Sequence, residues 1–256
     1  MSADLVVNGA AGRMGRLVAS ELRRCGFTDL VGCDVVEDRN LALADGPFPL
    51  ARDLVQALRP GGIVVDFSHP AATQVLLDAV QSRRARLVIG TTGQSADEMR
   101  RIELAATSVP VVLARNFSLG IHRMLQAITK LRVMIDEGFD LEILETHHSA
   151  KRDAPSGTAI MLLEAFWGNA PVDVVHGRSG VDARRKPLEV GVHSVRGGGI
   201  PGEHTLLLAG PDEVVEIRHR ALSRAAFVSG VPKAVRFVQD HPPGLYSMLD
   251  VIGDAE

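Results

Sequence analysis

The 256-residue sequence predicts an α/β protein, with a parallel-sheet nucleotide domain followed by an α+β domain whose sheet is more open. Three observations predict it. Short apolar strands alternate with helical patterns as far as Ser118. The first strand runs into a glycine loop that opens a helix. Past a long helical pattern, strands then follow one another with one clear helix among them.

Leu5-Val6-Val7-Asn8 is the first strand, and Gly9-Ala10-Ala11-Gly12-Arg13-Met14-Gly15 leads into a helical pattern over 16–25. The glycines are spaced G-x-x-G-x-x-G rather than G-x-G-x-x-G. Small residues here let the backbone approach a pyrophosphate, which rests on the N–H groups of the helix start. Most glycine-rich turns are only turns, but Leu30-Val31-Gly32-Cys33-Asp34 adds a second strand ending in an acid, 25 residues after Gly9. Such an acid accepts hydrogen bonds from an adenosine ribose diol, so the unit predicts Rossmann-like dinucleotide binding rather than a chance turn at Asp34. Asp34 repels a 2′-phosphate and Val35 brings no cation, so NADH is favoured; Arg39 keeps NADPH as an alternative.

The alternation continues. Residues 62–67 form a strand, Ser68-His69-Pro70 introduces a helix over 71–82, and a strand at 87–89 ends in Gly90-Thr91-Thr92-Gly93. Ser95 and Glu98 make a capping box for a helix to Ala106, and a strand over 111–114 ends in Arg115-Asn116-Phe117-Ser118. Parallel pairing with right-handed crossovers follows. Ligands of such sheets bind beyond the carboxyl ends of the strands. That gathers Phe67, Ser68, Gly90, Thr91, Thr92 and Ala114 to Phe117 around one crevice suited to a nicotinamide, although each turn alone reads as a loop.

Residues 119–135 form one long helical pattern capped by Ser118. Strands are expected at 140–146, 190–196, 205–209 and 214–219, with a helix at 156–167 and a loop over 171–187. Arg196-Gly197-Gly198-Gly199-Ile200-Pro201-Gly202 is expected to be a mobile turn. A last helix over about 225–239 and the tail 245–252 are expected to return to the first domain.

The densest chemistry lies in the fifteen residues Glu145-Thr146-His147-His148-Ser149-Ala150-Lys151-Arg152-Asp153-Ala154-Pro155-Ser156-Gly157-Thr158-Ala159. Pro155 disfavours helix in the residue before it, and Ser156 is a good N-cap. The helix start presents unpaired N–H groups and partial positive charge. With Lys151 and two histidines nearby, the segment reads as a site for a small polyanion, most simply a carboxylate. The plainer reading is a surface loop before a capped helix; the clustering favours a functional site. A metal is not expected, because adjacent histidines in a strand face opposite ways and no Cys or third His stands at ligand spacing.

Composition sets bounds. An apolar fraction of 46% allows a sizeable core, and a net charge of −3 argues against a nucleic-acid surface. The only cysteines, Cys25 and Cys33, suggest buried thiols rather than a disulfide or metal knuckle. No apolar run reaches 18 residues, so no membrane span is expected. Met1-Ser2-Ala3-Asp4 enters a strand pattern without leader features, so a cytoplasmic location is expected. No repeat or low-complexity segment is present.

Nearly end to end, the chain resembles the 4-hydroxy-tetrahydrodipicolinate reductase (dihydrodipicolinate reductase) family of the diaminopimelate route to lysine. The motifs are G-x-x-G-R-M-G at Gly9 to Gly15, G-T-T-G at Gly90 to Gly93, A-x-N-F-S at Ala114 to Ser118, and E-x-H-H-x-x-K-x-D-x-P-S-G-T-A at Glu145 to Ala159. V-R-G-G-x-I-P-G-E-H-T from Val195 and G-L-Y-x-M-x-D-V from Gly244 complete them. The Glu145 run is highly specific; the glycine loop is not.

The resemblance implies a nucleotide domain (1–118, completed by 224–256) and a substrate-binding and oligomerisation domain (119–223) with a mixed sheet, assembling as a homotetramer. It implies NAD(P)H-dependent reduction of a cyclic unsaturated imine dicarboxylate, with hydride delivered to C4 and a protein acid supplying the proton. His147 becomes the proton donor/acceptor and Lys151 the second catalytic group, either of which supplies that proton. His148, Gly157 and Thr158 hold the substrate carboxylates. Gly9, Ala10, Ala11, Gly12, Arg13, Met14, Asp34, Gly90, Thr91, Thr92, Ala114, Arg115, Asn116 and Phe117 line the cofactor. Closure of the two domains over substrate is expected. The chain departs from the pattern at Val35, where an Arg often follows the acid, and at Arg115. The rivals are another NAD-dependent dehydrogenase of a small amino or keto acid, and a non-catalytic NADH sensor, which would not require His147, His148 and Lys151 together.

Overall fold

A computed structural model describes residues 2–36, 38–168 and 170–253. They fall into two compact units, one formed by the chain up to Leu119 and from Phe227 onward, the other by Gly120–Ala226. The chain runs β1 (Ala3–Asn8), α1 (Arg13–Arg24), β2 (Leu30–Cys33), β3 (Asn40–Leu43), β4 (Gly46–Ala51), α2 (Leu54–Ala57), β5 (Leu58–Asp66), α3 (Thr73–Arg83), β6 (Arg86–Ile89), α4 (Ala96–Ala106) and β7 (Pro110–Leu113). It continues with α5 (Leu119–Thr129), α6 (Val133–Asp136), β8 (Asp140–His147), α7 (Gly157–Trp167), β9 (Asp173–Val175), β10 (Glu189–Arg196), β11 (Glu203–Ala209) and β12 (Val214–Arg220). Last come α8 (Val231–Asp240), β13 (Gly244–Tyr246) and α9 (Met248–Ile252).

In the first unit the strand order is β13-β7-β6-β5-β1-β2-β4-β3, parallel except for β3 against β4. The central strands are buried on both faces, as a doubly covered parallel sheet requires. One face packs on α1 through Val18, Ala19 and Leu22 and on α8 through Ala234, Val235 and Val238. The other packs on α3 and α4 through Leu76, Val80 and Ile102. Ser95 and Glu98 form the expected capping box of α4.

In the second unit the order is β12-β11-β8-β10-β9, with β8, β9 and β10 parallel and β11 antiparallel to both its neighbours. Ala159, Leu162 and Phe166 of α7 join one core with Leu141, Ile143, Leu206 and Leu208 of the sheet. Burial of Phe166 alone is worth about 2–3 kcal/mol. The α/β class, with a mainly parallel sheet in one unit and a mixed sheet in the other, is the one the sequence predicts.

Several elements differ from expectation. Helix α1 begins at Arg13, not Arg16, so Arg13 and Met14 occupy its first turn. The single helix over 119–135 is two: bonds from Leu131 N–H to Ile128 and from Met134 N–H to Leu131 tighten the chain and turn Leu131, Met134 and Ile135 onto the core. The last helix likewise starts at Val231, after a 3₁₀ turn over Arg224–Val228. Gly230 N–H donates to the Phe117 carbonyl at 2.7 Å, and a Cβ there would lie 2.6 Å from that oxygen, so the approach requires glycine. The β3–β4 hairpin was hidden by Pro47 and Pro49, which interrupt the strand signal of β4. Strand β9 lies inside the expected loop over 171–187.

Candidate active site

In the nucleotide-type unit, the glycine loop joins the carboxyl end of β1 to α1. Gly9 has φ +75°, and a Cβ on it would sit 2.6 Å from the Phe67 carbonyl oxygen. A Cβ on Gly15 would lie 2.1 Å from the Gly9 carbonyl oxygen, so helix and loop close together only without side chains. Gly12 caps α1 with no side-chain bond, and the first turn carries no acid. Its N–H groups and positive end suit a phosphate. Asp34 follows β2, and its Oδ2 accepts the Ala11 N–H at 2.9 Å while Oδ1 accepts the Val35 N–H at 2.8 Å.

A cavity of about 550 Å³ takes in Gly9, Ala11, Gly12, Asp34, Val35 and Arg52. These residues fit the adenosine and pyrophosphate of a dinucleotide. Ala10 is buried under the loop, and Arg13 and Met14 lie beyond the cavity lining. Cys33 also lines the cavity; burial pushes its thiol up to about 12, which leaves it inert.

The turns after β5, β6 and β7 follow in the neighbouring strands. Asp66 is buried and accepts hydrogen bonds from Asn8 Nδ2 at 2.7 Å, Ser68 Oγ at 2.6 Å and Thr91 Oγ1 at 2.5 Å. Burial pushes its carboxyl up against those hydrogen bonds. Thr91 therefore ties strand ends together, while Thr92 is exposed. A Cβ on Gly90 would meet the Phe67 ring at 2.2 Å. Phe117 is wholly buried against Phe67, its N–H donates to Phe227, and Asn116 Oδ1 accepts the Ser118 N–H. Ala114 is buried and Arg115 exposed.

In the second unit β8 alternates Leu141, Ile143, Glu145 and His147 on its buried face. The first two are core; the last two are ionisable. Neighbouring strands set Ser194 and His204 opposite Glu145, and Arg196 opposite His147. His147 Nδ1 lies 2.5 Å from Glu145 Oε2. Arg196 donates from Nη1 to Oε2 at 2.9 Å and from Nη2 to Oε1 at 2.7 Å, and the Ser156 N–H donates to Oε1 at 3.1 Å. Burial pushes the Glu145 carboxyl up, but hydrogen bonds from His147, Arg196 and Ser194 outweigh it and hold the group well below the usual carboxylate range.

Ser156 is the N-cap of α7, accepting the Ala159 N–H at Oγ and pairing with His204 Nε2 at 3.0 Å. Gly157 and Thr158 open the helix, and nothing lies within 4 Å of where a Gly157 Cβ would stand. Burial lowers the His204 pKa to about 3, so this ring is neutral. Lys151 Nζ holds both Asp153 oxygens at 2.8 and 2.9 Å. His148 follows the strand end, half-buried. The turn over 196–202 is anchored rather than free: Gly197 N–H donates to the His147 carbonyl and Ser149 N–H to the Gly198 carbonyl. Among the described residues, no group of three or more His, Cys, Asp or Glu could hold a metal ion, and no helix is long and apolar enough to cross a membrane.

Sequence reasoning placed His147, Lys151 and the α7 start together but gave Glu145, Arg196 and His204 no role. The signal was present. Glu145 breaks the apolar alternation of β8 two residues before His147, on the face where only burial is expected.

The chain matches the family described as dihydrodipicolinate reductase, N-terminus, over residues 3–117 and dihydrodipicolinate reductase, C-terminus, over residues 120–252. It is 39% identical over 254 residues to the 4-hydroxy-tetrahydrodipicolinate reductase of Caldanaerobacter subterraneus subsp. tengcongensis, covering 98% of this chain and 99% of that protein. It is 39% identical over 265 residues to the enzyme of the same name from Thiobacillus denitrificans, with 99% of each covered. Among solved structures, it is similar to the dipicolinate-bound dihydrodipicolinate reductase of Paenisporosarcina sp. TG-14, with a TM-score of 0.71, 23% identity, and 99% of this chain and 100% of that one covered. At that identity the structural likeness speaks for the fold.

Proposed function

The chain belongs to the dihydrodipicolinate reductase family, and from that membership we propose that it reduces 4-hydroxy-tetrahydrodipicolinate to tetrahydrodipicolinate in lysine and diaminopimelate biosynthesis. Once the 4-hydroxyl has left as water to give the conjugated cyclic imine dicarboxylate, a bound reduced nicotinamide dinucleotide would supply the hydride for C4. The chain's own residues bind, orient and protonate.

The observation that carries the residue assignment is that one buried carboxylate, Glu145, bonds both the His147 ring and the N-cap of α7. The imidazole and the helix N-terminus are thereby held as one rigid piece. The open backbone of Gly157 and Thr158, with His148, receives the substrate carboxylates. Lys151 exchanges its exposed partner Asp153 for a substrate carboxylate, a trade that costs little because such exposed pairs are worth about 0–1 kcal/mol. Fixing both carboxylates orients the ring. His147 gives the proton that completes reduction, with Lys151 assisting.

NADH is the favoured cofactor, because the Asp34 carboxylate repels a 2′-phosphate and Val35 offers no cation. Arg52 lines the same cavity and has no ion-pair partner among the described residues, which leaves NADPH usable. The enzyme acts in the cytoplasm as a homotetramer built on the second unit, whose sheet face away from α7 exposes Leu144, Val195 and Val214.

The test is nicotinamide oxidation with freshly made cyclic imine, aspartate semialdehyde and homoserine, each with NADH and NADPH. Turnover of the cyclic imine alone supports the proposal. Turnover of either open-chain compound with none of the imine replaces it with the rival dehydrogenase.

A further inference from the structure

We propose that Glu145 is the positioning residue of the proton-transfer step: it turns the His147 Nδ1–H toward itself and leaves Nε2 to deliver the proton. This rests on the reading of His147 as the donor. The Glu145 carboxylate is wholly buried, and a buried carboxylate persists only where its lone pairs are filled. The Arg196 fork alone neutralises it. Arg196 is in turn fixed by the Asp153 carbonyl at 2.6 Å.

The bland alternative is an ion pair that ties β8 to β10, with His147 a bystander. Three features oppose it. The bond from His147 to Glu145 is the tightest of the set, at 2.5 Å. The His147 ring has no other hydrogen bond among the described residues, so this bond decides which ring nitrogen faces the carboxylate. A charged carboxylate only accepts, so Nδ1 must carry the proton and the neutral ring keeps its lone pair on Nε2.

The other groups near His147 are engaged elsewhere: His204 Nε2 pairs with Ser156 Oγ at 3.0 Å, and Lys151 holds Asp153. Glu145 is thus the group that sets the tautomer of His147.

The experiment measures kcat and KM for wild type, Glu145→Gln and Glu145→Asp, with His147→Gln as reference and Kd for NADH as the folding control. The expected result for Glu145→Gln is a kcat fall of about 10- to 100-fold, the size seen on removing a carboxylate that orients an imidazole. KM for the dicarboxylate should change less than kcat. Glu145→Asp, which keeps an accepting carboxylate, should recover most of the lost kcat. Wild-type kcat in Glu145→Gln overturns the proposal and leaves the donor reading intact. A His147→Gln variant with full kcat overturns the donor reading itself. Should Glu145→Gln fail to fold, ¹⁵N spectra of histidine-labelled wild type decide: a proton on Nδ1 of neutral His147 upholds the proposal, and one on Nε2 overturns it.

Discussion

Asp34 and Ala11 are joined by a hydrogen bond at the tip of the first β–α–β unit, the carboxylate Oδ2 accepting the backbone N–H at 2.9 Å. The acid predicted to read a ribose also braces the glycine loop predicted to hold the pyrophosphate. Loss of the side chain therefore strikes two parts of one binding surface. Asp34→Ala should raise Kd for NADH by about 10- to 100-fold, the cost of one or two hydrogen bonds to a charged group. Fluorescence titration measures it, and an unchanged Kd removes Asp34 from the dinucleotide site.

Arg52 lines the cavity beside Asp34. Arg52→Ala should lower kcat/KM with NADPH by about 10-fold, the worth of a partly exposed Arg–phosphate pair, and leave NADH nearly unaltered. Equal losses with both cofactors would separate Arg52 from the 2′-position.

Gly15 faces the Gly9 carbonyl so closely that a Cβ would sit 2.1 Å away. Gly15→Ala must open the loop from α1. NADH binding should weaken by about 10-fold or more, with a lower Tm, since strain of this kind costs about 1–3 kcal/mol. Calorimetry reads both; wild-type affinity in the variant would show that the loop tolerates the displacement.

The Lys151 ammonium pairs with Asp153 near the surface. Lys151→Met should cut kcat/KM for the cyclic imine by about 100-fold or more, because no ammonium then grips the substrate carboxylate in the transition state, and should spare the Tm. A collapse in Tm with little kinetic effect would make the lysine structural.

His204 is buried and neutral, its pKa lowered from 6.5 to about 3. In the unfolded chain it takes up a proton near pH 6.5, so between there and about pH 3 the unfolded state binds more protons and stability falls as pH falls. The slope from this group is at most about 1.4 kcal/mol per pH unit. Glu145, held low in the folded state, acts in the same sense below pH 4.5. Melting of His204→Gln across pH 7 to 4 should show a shallower acid loss than wild type; parallel curves would contradict the burial argument.

Legibility in the sequence followed the range of the forces involved. The parallel strands, α1, α4 and α7 announced themselves through local apolar runs, the Ser95–Glu98 box and Ser156. The break after Thr129 was not legible, because packing of Leu131 and Met134 on a distant core decides it. The β3–β4 hairpin was masked by its prolines. His147 and Lys151 stood out as residue types in one short run, whereas Arg196 and His204 reach Glu145 and Ser156 only through strand register. Such register is fixed by sheet assembly rather than by neighbours in sequence.

The most direct measurement of the central claim is the fall in nicotinamide absorbance with fresh cyclic imine dicarboxylate, wild type beside His147→Gln. Wild type should consume NADH, and the variant should turn over about 100- to 10,000-fold more slowly with its NADH Kd unchanged. Undiminished turnover in the variant, or a loss confined to NADH affinity, would contradict the account.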